Sequence, residues 1–229
     1  KSMLAAVAAI AAVSAAPAFA ETVNSGYVGL SAATFDADGE DFQEYALNGA
    51  VAFPLSGAWG VQLDAEASTV DGDNIDEDSF GGTAHAFHRS SNALIGGFIG
   101  AADGDDVTVY GGGVEGELYL ANWTLAGRVS YATDDSDVDS DTWGVEARGG
   151  YFISDSFTVG GGVGYSDTSV DVAGVDDFSA FYVGVDAEYQ LATAPISFFG
   201  GVSYVDPDES EESTAVQVGL RWNWNTESL

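Results

Sequence analysis

The chain has 229 residues, 30 of them Gly and 4 Pro, with no Cys and with 5 Lys or Arg against 37 Asp or Glu, a formal net charge of −32. Five basic residues cannot neutralise a row of phosphates, which argues against a nucleic-acid partner, and without Cys there is no disulfide framework, thiolate zinc site or iron–sulfur cluster. A hydrophobic fraction of 46% with 12% aromatics is too high for a disordered chain.

The first element is short. Lys1 precedes the apolar run LAAVAAIAAV (4–13) and the small-x-small triplet Ala18-Phe19-Ala20, so residues 1–20 read as a secretory signal peptide and 21–229 as a single domain. This Ala-rich stretch is a poor membrane anchor, and no later stretch reaches the ~20 apolar residues of a transmembrane helix.

Beyond it the periodicity is two. Five segments (Tyr45 to Phe53, Trp123 to Tyr131, Trp143 to Tyr151, Phe157 to Tyr165 and Phe181 to Tyr189) carry an aromatic at each end of one strand face, with small or aliphatic residues between. A soluble sandwich places its rings centrally in the core. A bilayer instead favours rings at both interfaces and aliphatics in the hydrocarbon, over a span of ~9–11 residues for a tilted strand.

Acidic clusters at 36–41, 71–78, 103–106, 134–141, 167–177 and 206–212 hold most of the carboxylates. They alternate with weakly charged punctuations at 54–58, 89–92, 121–122, 154–156 and 192–195. Eleven connections join twelve strands, predicted at 24–34, 43–53, 59–69, 81–89, 92–101, 107–120, 122–132, 142–153, 157–166, 178–191, 196–205 and 214–224. The expected fold is therefore all-β: a closed antiparallel transmembrane β-barrel of about twelve strands, ten or fourteen fitting less well, with short periplasmic turns and longer acidic extracellular loops. Closure satisfies every backbone amide in hydrocarbon.

At this point the chain resembles the outer-membrane, porin-like β-barrels of Gram-negative bacteria. QVGLRWNW (217–224) is similar to the assembly signal on their last strand, with Gln217, Gly219, Trp222 and Trp224 at its key places; it departs from that pattern by continuing with NTESL. GGTAHAFHRSSNALIGGFIG (81–100) resembles a His-containing hairpin of the alphaproteobacterial type. The resemblance implies an outer-membrane location, contact with lipid and lipopolysaccharide, and insertion by the barrel-assembly machinery.

Strand parity names the candidate lumen. Asp64, Glu66, Glu115, Glu117, Glu146, Asp186 and Glu188 face inward as pore-lining acids, with Glu44 beside them. Arg128, Arg148 and Arg221 face inward as pore-lining bases, joined by Arg89. Arg128 and Arg148, beside Glu117 and Glu146, suggest ion-pair ladders that narrow the lumen. His85 and His88 differ by three and must face opposite ways; parity leaves open which is inside.

The expected function is a porin-like channel for passive diffusion of small hydrophilic solutes, with acidic residues favouring cations. The alternative is a structural or surface-interaction barrel closed by its ion pairs, whose acidic loops bind divalent cations, lipopolysaccharide or a partner. Neither reading calls for an enzyme, a cofactor or a dedicated metal site. GGVGYSD (161–167) lacks the spacing and repetition of a calcium nonapeptide, and His88-Arg89-Ser90 puts its Ser in a predicted turn with no third partner. The outward Gly127, Gly149, Gly161 and Gly200 fit close packing of barrels or strand bending equally well, so the oligomeric state stays open.

Overall fold

The computed structural model describes residues 24–37, 40–72, 75–104, 107–135, 140–170, 177–208, 210 and 212–224. The expected signal peptide, the NTESL tail and parts of all six acidic clusters lie outside them. Twelve strands follow one another: β1 (Ser25–Ala37), β2 (Glu40–Pro54), β3 (Trp59–Gly72), β4 (Ile75–Arg89), β5 (Ala93–Gly104), β6 (Val107–Tyr119), β7 (Trp123–Asp134), β8 (Ser140–Ser154), β9 (Phe157–Val170), β10 (Phe178–Gln190), β11 (Ile196–Pro207) and β12 (Ser213–Trp224).

Each strand pairs antiparallel with its neighbours in sequence, and β1 closes on β12 from Gly26↔Trp224 to Asp36↔Thr214, giving a closed barrel. The expected fold class and strand count are what the chain adopts. Strands run further into the acidic clusters than alternation alone suggests: β4 starts at Ile75 rather than 81, and β1 continues to Ala37. Polar and charged residues can form ladders once the strand has left hydrocarbon, where hydropathy no longer marks the strand's end. Many acids are therefore wall residues at one rim. At the other end the turns are tight; Leu55 N–H bonds the Trp59 carbonyl at 2.8 Å, and Gly57 takes φ 71°, a left-handed conformation that favours glycine.

The two faces of the wall are opposite in character. Large apolar side chains such as Leu30, Leu63, Ile95, Ile99, Val114 and Val185 point outward and stand exposed. In a water-soluble fold such a band would be an aggregation site; lipid is the solvent that fits it. Rings bracket the band. Toward the short turns, Trp123 packs on Tyr151 (4.8 Å between centroids), Phe157 on Tyr189 (6.5 Å) and Trp222 near Trp224 (6.3 Å). Toward the acidic rim Trp143 packs on Tyr165 (5.5 Å).

The polar tips of the rim-side rings end on carboxylates. Tyr131 donates to Asp141 Oδ1 (2.6 Å) and Trp143 Nε1 to Asp167 Oδ1 (3.2 Å). These two acids, members of the expected extracellular clusters, sit on the outer face as acceptors for the aromatic girdle. That is how an amphipathic ring settles at an interface, with its body in hydrocarbon and its donor in a polar layer.

Candidate functional site: the charged lumen wall

Inward side chains carry the chemistry. Asp64 and Glu66 on β3, Glu115 and Glu117 on β6, Arg128 on β7, Glu146 and Arg148 on β8, Asp186 and Glu188 on β10 and Arg221 on β12 alternate with exposed outward neighbours, so all face the interior. Glu44 on β2 and Arg89 on β4 do the same.

These groups form a belt. Arg128 Nε lies 3.0 Å from Glu146 Oε2, its cross-strand partner. The other pairs skip a strand. Arg148 Nη2 on β8 reaches Asp186 Oδ2 on β10 at 2.6 Å, passing over β9 where Gly160 and Gly162 face inward. A Cβ at Gly162 would lie 2.8 Å from Arg148 Cγ, and one at Gly160 would lie 2.9 Å from Asp186 Oδ1. Gly162, in the stretch that lacks calcium-nonapeptide spacing, and Gly160 just before it therefore make room for an ion pair. Arg221 Nη1 on β12 reaches Glu188 Oε2 on β10 at 2.8 Å over the small Ser197, whose hydroxyl also donates to Glu188 and accepts from Asn223 Nδ2 (3.2 Å). The Arg221 guanidinium stacks on Phe199 (4.4 Å) and Tyr27 (4.9 Å), aromatic partners worth ~0.5–2 kcal/mol where water is displaced.

The expected ladder of Arg128 and Arg148 with Glu117 and Glu146 is thus corrected in part. Arg128 pairs with Glu146, but Arg148 turns to Asp186. Glu117 instead accepts from Tyr119 OH at 2.5 Å, beneath Arg89, which stacks on the Tyr119 ring at 4.6 Å. Strand parity shows who faces inward, yet pairing depends on which intervening side chains are small.

Two features lie beyond what strand parity shows. The first is His85. The structure resolves the histidine parity: His85 is inside, and His88 is outside against Trp59 in a T-shaped contact at 5.3 Å. His85 Nε2 lies 2.9 Å from Asp64 Oδ2 and Nδ1 lies 2.9 Å from Glu115 Oε1. The second is a set of inward rings laid over glycines of neighbouring strands: Phe42 over Gly72, Phe87 over Gly60, Phe98 over Gly113 and Phe199 over Gly219. Only the register, which pairs Phe98↔Gly113 and Phe199↔Gly219, reveals the match.

Glu44 and Glu66 are different. Among the described residues no Arg or His lies within ion-pair distance of either; Glu44 has only the Ser68 hydroxyl as a side-chain hydrogen-bond partner. Within the belt, Asp186 keeps 43% of its side-chain exposure and Asp64 keeps 31%. At the seam, Gln217 and Gly219 of the resembled assembly signal face inward, while Trp222 and Trp224 face outward at the turn end. Among the described residues no group of three or more His, Asp or Glu is arranged to hold a metal ion.

No protein-family model matches the sequence, and no curated protein matches it. Solved structures do. An outer-membrane channel of Pseudomonas putida F1 superposes with a TM-score of 0.70 at 11% identity, covering 93% of this chain and 100% of that one. The chain has the outer-membrane β-barrel fold. A KdgM porin solved with disordered oligogalacturonate shares this barrel fold with a TM-score of 0.58 and 12% identity over 86% of this chain and 99% of its own. The translocator domain of the autotransporter NalP from Neisseria meningitidis gives 0.54 at 13% identity, covering 96% of this chain and 93% of the domain. At such identities the likeness is one of fold, and function must be argued from the wall itself.

Proposed function

We propose that the chain is a porin-like channel of the Gram-negative outer membrane, passing small hydrophilic solutes by passive diffusion with a preference for cations. The observation that carries this reading is how the inward side chains are stowed. Phe42, Phe87, Phe98 and Phe199 lie across glycines on the wall, and the arginines run along the wall to partners one or two strands away instead of projecting to the axis. A twelve-stranded barrel lies between the eight-stranded kind, which its side chains fill, and the 16–18-stranded kind with a wide aqueous channel. Flat stowage favours the open side of that range, and the exposure left to Asp186 and Asp64 supports a wall reached by water.

Charge supports the preference. Between the aromatic girdles, Glu44, Asp64, Glu66, Glu115, Glu117, Glu146, Asp186 and Glu188 face Arg89, Arg128, Arg148, Arg221 and His85, an excess of carboxylates whatever the charge on His85. The acidic rim adds a negative potential that concentrates cations within about a Debye length, ~8 Å at physiological salt. Contacts of that rim with divalent cations and lipopolysaccharide, and insertion by the barrel-assembly machinery, belong to the same proposal. The structural reading has one observation in its favour: every described lumen arginine has a charged or aromatic partner. Liposome swelling separates the two. Vesicles containing the folded chain are expected to swell in small neutral sugars and to slow as the sugar grows; vesicles that stay as tight as protein-free ones would overturn the channel reading.

A further inference from the structure

We infer that His85 is a doubly protonated imidazolium built into the lumen wall, a specificity-determining cation that withholds Asp64 and Glu115 from passing ions. Proton count decides the state of the ring. A neutral imidazole has one N–H and one lone pair, and so can donate to a single carboxylate. His85 stands between two: Asp64 on β3 at 2.9 Å from Nε2 and Glu115 on β6 at 2.9 Å from Nδ1. With one proton the second contact would set a lone pair against a carboxylate. With two protons both contacts are charge-assisted hydrogen bonds.

The surroundings hold this arrangement in place. The second oxygen of Asp64 accepts from buried Gln62 Nε2 at 2.8 Å, which fixes the carboxylate. Glu115 can cross β5 to reach His85 because Gly96 stands opposite it; a Cβ there would lie 3.1 Å from Glu115 Oε1. Phe98 on β5 packs on the imidazole with ring centroids 5.5 Å apart. Between the aromatic girdles, the inward charged groups on the strands around His85 are Asp64 and Glu66 on β3, Arg89 on β4, none on β5, Glu115 and Glu117 on β6, and Arg128 on β7, cross-strand from Glu115. Carboxylates predominate around it.

The consequence deepens the channel reading and rests on it. Two acids that composition assigns to a cation filter are bridged by a resident cation, so the filter is less negative than the carboxylate count implies. The sequence has two histidines, so His88→Gln leaves His85 as the only imidazole. In that variant, folded in detergent micelles with ¹⁵N-labelled histidine, both ring nitrogens are expected to carry protons at about pH 7.5, where an unpaired imidazole is mostly neutral. One protonated and one bare nitrogen would overturn the inference. In planar bilayers His85→Gln is expected to shift the reversal potential further toward the cation limit; an unchanged or opposite shift in a conducting variant would overturn the role in selectivity. A folded barrel without conductance contradicts the channel reading alone, because the spectrum still decides the protons on His85.

Discussion

Two arcs of the lumen wall carry the same kind of carboxylate and differ in what answers it. Glu146, Asp186 and Glu188 each meet an arginine within 3.0 Å, His85 bridges Glu115 on β6 and Asp64 on β3, and Glu117 accepts from Tyr119 OH. On β2 and β3, Glu44 and Glu66 face the same space with no described Arg or His in reach. The difference teaches that the charge felt by a passing ion is set by pairing rather than by count. On the proposed reading, the matched arc holds the wall together and the unmatched arc attracts cations.

The largest effect should come from breaking the matched arc at its most buried point. Glu146 is 8% exposed and pairs with Arg128. Arg128→Met strands that carboxylate and should cost about 3–5 kcal/mol, read as an earlier denaturant midpoint for the barrel in lipid vesicles. Adding Glu146→Leu should recover most of the loss, because a buried pair replaced whole is far cheaper than one halved. A single variant as stable as the parent would mean that the pair is slack.

Next in size is the room that the pairs need. Gly162→Val places carbon where Arg148 crosses β9 and should cost ~1–3 kcal/mol by overpacking. At the outward Gly127 an added Cβ meets only the Glu146 carbonyl at 3.5 Å, so Gly127→Ala should stay within ~0.5 kcal/mol. Equal melting shifts for the two would remove the claim that inward glycines are corridors for ion pairs.

Selectivity sharpens the comparison without relying on stability. Glu44→Gln with Glu66→Gln should move the reversal potential toward zero under a salt gradient. Arg148→Gln with Asp186→Asn, which leaves the net charge unaltered, should move it little. The reverse order of effects would place the cation preference in the paired arc.

The smallest effect lies at the rim. Asp208, in the connection after β11, has its carboxyl held below the ordinary range by hydrogen bonds from the Ser179 backbone N–H (2.7 Å) and hydroxyl (3.0 Å). Because the native value is depressed, this contact is complete above the ordinary carboxylate pKa of ~3.9 and is lost as the pH falls through the lower native value. The Ser179 amide resonance should therefore titrate with a midpoint below the ordinary carboxylate range. A shift already complete at about pH 5 would contradict the assignment.

The barrel is legible in the sequence because its signal is local. Alternation, rings at both ends of one strand face, and punctuation by turns all lie within about ten residues, and they predict twelve strands and their alternating faces. The site is only half legible. Parity places Asp64, Glu115, Arg128 and Asp186 inside, but His85 was ambiguous because Ala84, Ala86 and Phe87 do not agree on a face. Pairing across a skipped strand depends on register and on Gly96, Gly160, Gly162 and Ser197, none of which looks functional on its own strand. Strand ends are less legible for a related reason: beyond the hydrocarbon, acids such as Asp141 and Asp167 belong to the wall and serve the aromatic girdle.

On the proposed reading, this wall encloses a water-filled, cation-preferring path. Planar-bilayer recording of the folded chain under a KCl gradient tests it most directly. Discrete conductance steps with a reversal potential on the cation side are the predicted result. A barrel whose gel mobility still responds to heating, and which therefore is folded, but which gives no steps or reverses on the anion side, would contradict it.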